Sequence, residues 1–140
     1  MKPLRTAREA ALQVLFQQSF QESRSGQELF NAFADNFEFD NQTRDYDLYL
    51  VNGVLENESS INGRIESLSD NWSIDRIAMI DKILLQLGIF ELCFSDQTPT
   101  PPKICMSDII DLAKKYSSQE SKNFINGILD QIFNQESSAN

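Results

Sequence analysis

Residues 77–94, IAMIDKILLQLGIFELCF, are apolar on nearly every side of a helical wheel. A helix without a polar stripe has no face to give to water, so this segment belongs at the centre of the fold with other elements packed around it. Apolar spacing elsewhere is helical almost throughout, and no stretch sustains a period of two, which predicts an all-α fold. A first helix is predicted from about Leu4 to Phe20, with Leu12, Phe16 and Phe20 at i, i+4 and i+8 and with Leu4, Ala11 and Leu15 widening the apolar face. A short second helix carries Phe30, Phe33 and Phe37. A long third one, from about Arg44 to Ser69, carries Val51, Val54, Leu55, Ile61, Ile65 and Leu68, with Trp72 just beyond. Gly53 and Gly63 each cost that helix about 1 kcal/mol relative to alanine, and they allow close packing or a bend.

After the central segment, Pro99, Pro101 and Pro102 stop the helix. Ser107 is placed to N-cap a fifth helix, DIIDLAKKY, in which Asp111 and Lys115 have the spacing of an i,i+4 pair. Ser117-Ser118-Gln119-Glu120 reads as a capping box that opens a last helix through Phe133. Residues 136–140 are expected to fray. With 140 residues, of which 41% are hydrophobic, the chain can bury a core of its own and is read as one domain over residues 1–140.

Composition removes much chemistry. The chain has no histidine, which excludes Ser-His-Asp and Cys-His catalysis and every His-based metal site. Gly26, Gly53, Gly63, Gly88 and Gly127 lie at least ten residues apart, so no phosphate-cradling loop can be assembled. Cys93 and Cys105 match no C-x-x-C spacing and read as reduced packing residues. Paired carboxylates remain, but none of the many pairs stands out, so no enzyme, cofactor or metal is expected. No apolar run approaches the roughly 18 residues of a membrane span, and MKPLRTAREAALQ lacks the apolar core of a signal peptide, which predicts a cytoplasmic protein without a membrane partner.

The net charge of −9 argues at first against nucleic acid. Its distribution is uneven. Residues 1–24 carry Lys2, Arg5, Arg8 and Arg24 against Glu9 and Glu22, a net of +2, whereas residues 25–75 carry eleven acids against Arg44 and Arg64, a net of −9. Arg5 and Arg8, three apart, share a helix face in the mildly basic head. The pattern alone fits a solvated helix start, although cations in a first turn oppose the helix dipole by about 0.3 to 1 kcal/mol each. Phe16 and Phe124 have the chemistry of base stacking, but each lies on an apolar stripe and reads first as core. Glu91, among apolar neighbours, must be bonded, paired or protonated, and a structural bond to the start of another helix is the expected outcome.

Four blocks together resemble the NusB family of bacterial transcription antitermination factors: TAREAALQVLF, LVNGVLEN, KILLQLGIFEL and MSDIIDLAKKYSSQESKNFINGILD. The resemblance spans essentially the whole chain, with residues 25–45 the least distinctive. It implies two three-helix bundles, six to seven helices in all. It also implies binding of single-stranded boxA RNA together with the ribosomal protein NusE, in an antitermination complex on RNA polymerase that serves ribosomal RNA transcription. By resemblance, Lys2, Arg5, Arg8, Gln13, Phe16, Lys122, Asn123 and Phe124 are the RNA-side residues, while Asp75, Asp81 and Glu120 face NusE. The chain has Leu4-Arg5-Thr6 where the family often has two or three successive arginines, Gln86 replaces a common arginine, and Phe16 stands in place of tyrosine. A protein-only adaptor of the same fold, without RNA binding, is the alternative that the thin arginine motif favours. A homodimer of the free protein covering the basic head also stays open.

Overall fold

The computed structural model describes residues 2–19, 41–69, 74–95 and 100–139. Six α-helices follow one another: α1 (Lys2–Gln18), α2 (Asn41–Glu56), α3 (Glu58–Leu68), α4 (Met79–Ile89), α5 (Pro102–Tyr116) and α6 (Gln119–Ala139). A 3-10 turn, Ile74–Arg76, precedes α4, and a π-helical turn, Phe90–Phe94, follows it. Among the described residues there is no strand. The predicted helix around Phe30, Phe33 and Phe37, and Trp72, lie outside the described residues.

The central position of α4 follows from its composition. It packs against α1, α2, α3, α5 and α6, and Ile83, Leu84, Leu85, Leu87 and Ile89 are all buried. The polar Gln86 is buried too, and its amide donates to Asn62 Oδ1 at 2.9 Å, so its presence in the core leaves no orphan donor there. Ile80 and Leu92, at the two ends of the apolar run, are only half-buried against the core.

Four boundaries differ from the sequence reading. The long third helix is two, α2 and α3, and the bend falls neither at Gly53 nor at Gly63 but at Asn57, whose side-chain amide donates to the Gly53 carbonyl at 2.8 Å. Such side-chain bonding competes with the helical ladder and bends it. The fifth helix begins at Pro102, preorganised at the first turn, so Ser107 is mid-helix and caps nothing. The cap of α6 is Ser118, whose hydroxyl accepts from the Ser121 amide at 3.1 Å, one residue later than expected. The segment expected to fray stays helical through Ala139.

Gly53 does serve close packing. A Cβ added there would stand 2.1 Å from the Phe90 ring, in the contact between α2 and the π turn. Gly53→Ala is therefore expected to cost about 1 to 3 kcal/mol by overpacking, against a helix-propensity gain of about 1 kcal/mol. A lowered thermal midpoint checks it, and an unchanged one would mean that Phe90 has room to move.

Candidate nucleic-acid interface

Arg5 and Arg8, three apart on α1, end in different environments. Arg5 is exposed and pairs with Asp111 of α5. Arg8 is fully buried. Its Nε and Nη2 donate to the two oxygens of Glu91 at 2.7 and 2.8 Å, and its Nη1 donates to Asp108 at 2.7 Å. Glu91 also accepts the Tyr46 hydroxyl at 2.6 Å, and the guanidinium lies 6.0 Å from the Tyr46 ring centre. Burial works against the Arg8 charge, but the bonds and charge of Glu91 outweigh it and raise its pKa above the ordinary value. The expectation of an exposed Arg8 that reaches phosphates is corrected: its donors face two carboxylates inside the protein. Glu91 likewise finds the side chain of Arg8 rather than a bare helix start. The π turn makes this possible, because it buries both Phe90 and Glu91 in succession, one toward Gly53 and the other toward Arg8.

The exposed side of α1 makes a second set of contacts. Lys115 Nζ donates to Glu9 at 2.6 Å, the Tyr116 hydroxyl donates to the same carboxylate, and Gln13 donates to the Tyr116 oxygen at 3.1 Å. Desolvation raises the Glu9 pKa, but the bonds from Lys115 and Tyr116 outweigh it and hold the carboxyl below its usual range. Asp111 takes Arg5 and, at 3.8 Å, Lys114, so the predicted Asp111–Lys115 pair is not the one formed. Residues 5, 9 and 13 of α1 thus meet 111, 115 and 116 of α5 in the same order, forming a seam between the two helices.

Across the next turn of the chain lies a cleft of about 580 Å³ between the 3-10 turn, α4 and α6. Its lining includes Arg76, Asp81, Glu120, Asn123 and Phe124. Asp81 is buried, against the expectation of a rim charge, and accepts the Ser117 hydroxyl at 2.8 Å. Glu120 and Asn123 are exposed, Phe124 and Lys122 half-buried, and Phe16 packs half-buried against the core. The structure therefore brings Asp81, Glu120, Asn123 and Phe124 into one cleft and leaves Arg5 and Gln13 on the seam. The two regions adjoin at Tyr116 and Ser117: Tyr116 belongs to the seam, and Ser117, next in the chain, donates to Asp81 of the cleft lining. The side chains of Lys2 and Asp75 lie outside the described residues. Sequence reasoning missed Glu9, Asp108, Lys115 and Tyr116, whose partners are about a hundred residues away.

Burial first of all pushes both thiols, Cys93 and Cys105, up to about 12, so neither has the thiolate character of a reactive cysteine. Among the described residues no cluster of His, Cys, Asp or Glu could hold a metal ion, and no helix is long and apolar enough to cross a membrane.

The NusB family model matches residues 5–134, nearly the whole chain. The chain belongs to the NusB family. A transcription antitermination protein NusB from Syntrophus aciditrophicus is 38% identical over 133 residues, covering 95% of this chain and 81% of that protein. Among solved structures, T. maritima NusB superposes with a TM-score of 0.83 at 28% identity, covering 94% of this chain and 91% of its own. NusB in a complex of the antitermination factors NusB and NusE with double-stranded RNA gives 0.83 at 29% identity, covering 96% and 98%. Three of the blocks that carry the family resemblance each supply one member of the buried ion network: Arg8 on α1, Glu91 in the π turn and Asp108 on α5.

Proposed function

We propose that the protein is an antitermination factor of NusB type, which binds single-stranded boxA RNA together with the ribosomal protein NusE. It acts without catalysis, in the cytoplasm, within the antitermination complex on RNA polymerase, and promotes ribosomal RNA transcription. The observation that carries this reading is the junction at Tyr116 and Ser117, where a seam holding Arg5 and Lys115 adjoins a cleft with Glu120 at its rim. The exposed cations of the seam beside the exposed carboxylate of Glu120 suit a ligand pair of opposite charge, a nucleic-acid backbone and a basic ribosomal protein. The relatives' names and the NusB–NusE–RNA assembly of the neighbouring structure support the same pairing.

The test is a pull-down with purified NusE followed by a labelled boxA shift over a range of salt. Glu120→Lys is expected to slow partner association most at low salt. Arg5→Glu is expected to weaken RNA binding and flatten the log-log salt slope by about 0.7, the loss of one phosphate contact. Partner capture with no RNA shift at any salt would make the protein an adaptor only.

A further inference from the structure

The seam between α1 and α5 deepens the nucleic-acid reading, on which this inference rests. Three cations line it, Arg5, Lys114 and Lys115, with side chains 45%, 56% and 60% exposed. Each is already held by a carboxylate, Arg5 and Lys114 by Asp111 and Lys115 by Glu9. The same two helices make a further Arg–Asp pair, Arg8 with Asp108, and the contrast between the pairs is informative. Arg8 is closed off from water, so nothing can take Asp108's place, whereas Arg5 and Asp111 are open to solvent and to any competing anion. Exposed pairs are weakly held, and a phosphate accepts the same charge-assisted bonds that a carboxylate does.

We infer that Asp111 and Glu9 stand in for phosphate in the free protein, and that the backbone of single-stranded RNA displaces them along this seam. Lys114 and Lys115 then belong to the RNA-binding surface together with Arg5, and Asp111 is an internal competitor that limits affinity. The seam leads toward the cleft: Lys115 lies 5.4 Å from the Tyr116 ring centre, and Ser117, next in the chain, is bonded to Asp81. A strand tracking from Arg5 to Lys115 therefore arrives at the α5–α6 turn, one turn before Asn123 and Phe124.

The inference predicts that removing an acid tightens binding. Anisotropy of a labelled single-stranded RNA, with and without the ribosomal partner, is measured against salt for the full chain and its variants. Asp111→Asn is expected to tighten binding about 2- to 5-fold, the range of an exposed ion pair. It should also steepen the log-log salt slope by about 0.7 for each newly engaged phosphate. The gain should vanish when Arg5 and Lys114 are alanine. Glu9→Gln, which frees Lys115, supplies an independent second variant with the same expected sign, and circular dichroism shows that each variant is folded. If the parent protein binds RNA and neither variant tightens it, the competition idea is wrong while the RNA reading stands. A gain that persists without Arg5 and Lys114 would reduce the effect to overall charge and also overturn it. If the parent shows no RNA affinity even at low salt with the partner present, both the function and this inference fall.

Discussion

Arg8→Met is expected to destabilise the protein by about 3 to 5 kcal/mol, because it leaves Glu91 and part of Asp108 buried without their cation. That is a large share of the about 5 to 15 kcal/mol that stabilises a domain. The loss should appear as a fall in urea midpoint at constant slope. The comparison that makes it diagnostic is Arg5→Met, three residues away on the same helix, which should stay within about 0.5 kcal/mol of the parent. Pairing Arg8→Met with Glu91→Leu should recover part of the loss, since it removes the fully buried orphaned carboxylate while Asp108 stays without Arg8 and the Tyr46 hydroxyl loses its bond to Glu91. A parent-like midpoint for Arg8→Met would mean that the guanidinium is not enclosed between Glu91 and Asp108. Reduced RNA binding by an Arg8 variant must accordingly be read beside its melting curve, because this arginine is expected to act through the fold.

Stability should fall as pH rises from about 4 to about 8, and Asp47 is the reason. It is fully buried on α2, and no described donor reaches either carboxylate oxygen. Burial pushes its carboxyl up to about 8, whereas an unfolded aspartate titrates near 3.9. Between those values the native state holds a proton that the unfolded state has released, so the stability contribution is complete below about pH 4 and is lost by about pH 8. At about 1.4 kcal/mol per pH unit, the total is on the order of 5 kcal/mol. Asp47→Asn keeps the shape and removes the titration, so its stability should be nearly flat over this window. An identical pH profile for parent and Asp47→Asn would assign the dependence to other groups. Glu9 works in the opposite sense, since its lowered pKa contributes stability that is lost as pH drops below the carboxylate range.

Both residues mark the limit of local reading. Asp47 lies on a helix predicted from its spacing, three, four and seven residues before Leu50, Val51 and Val54, so the period puts it on the buried face; what the period does not show is that no described donor meets it there. A helical wheel orders residues around one axis, and burial is settled by which neighbour covers each side. Arg5 and Arg8 present the same difficulty more sharply, because three residues apart they share a face of an isolated helix. In the fold α5 arrives against that face with Asp111 outside and Asp108 inside, and one arginine becomes surface while the other becomes core.

What the sequence determined by itself is whatever depends on spacing within about four residues: the all-helical class, the central place of the apolar segment 77–94 and the start of α6 to within one residue. These rest on backbone hydrogen bonds and on apolar periodicity, both of which are local. The central helical run, by contrast, ends at Phe94, ahead of the prolines, and Pro102 opens α5. The block order in TAREAALQVLF, GIFEL and SDIIDLAKKY also carried the family, although not the reason the blocks belong together. Tertiary structure alone decided the Arg8–Glu91–Asp108 network, the Glu9–Lys115–Tyr116–Gln13 chain and the burial of Asp81 under Ser117. Each of these joins residues from 36 to 107 positions apart. A charged side chain at such a site is stabilised by its partner rather than by its neighbours in the chain, and its role became visible only when the packing of α1, α4 and α5 brought that partner within bonding distance.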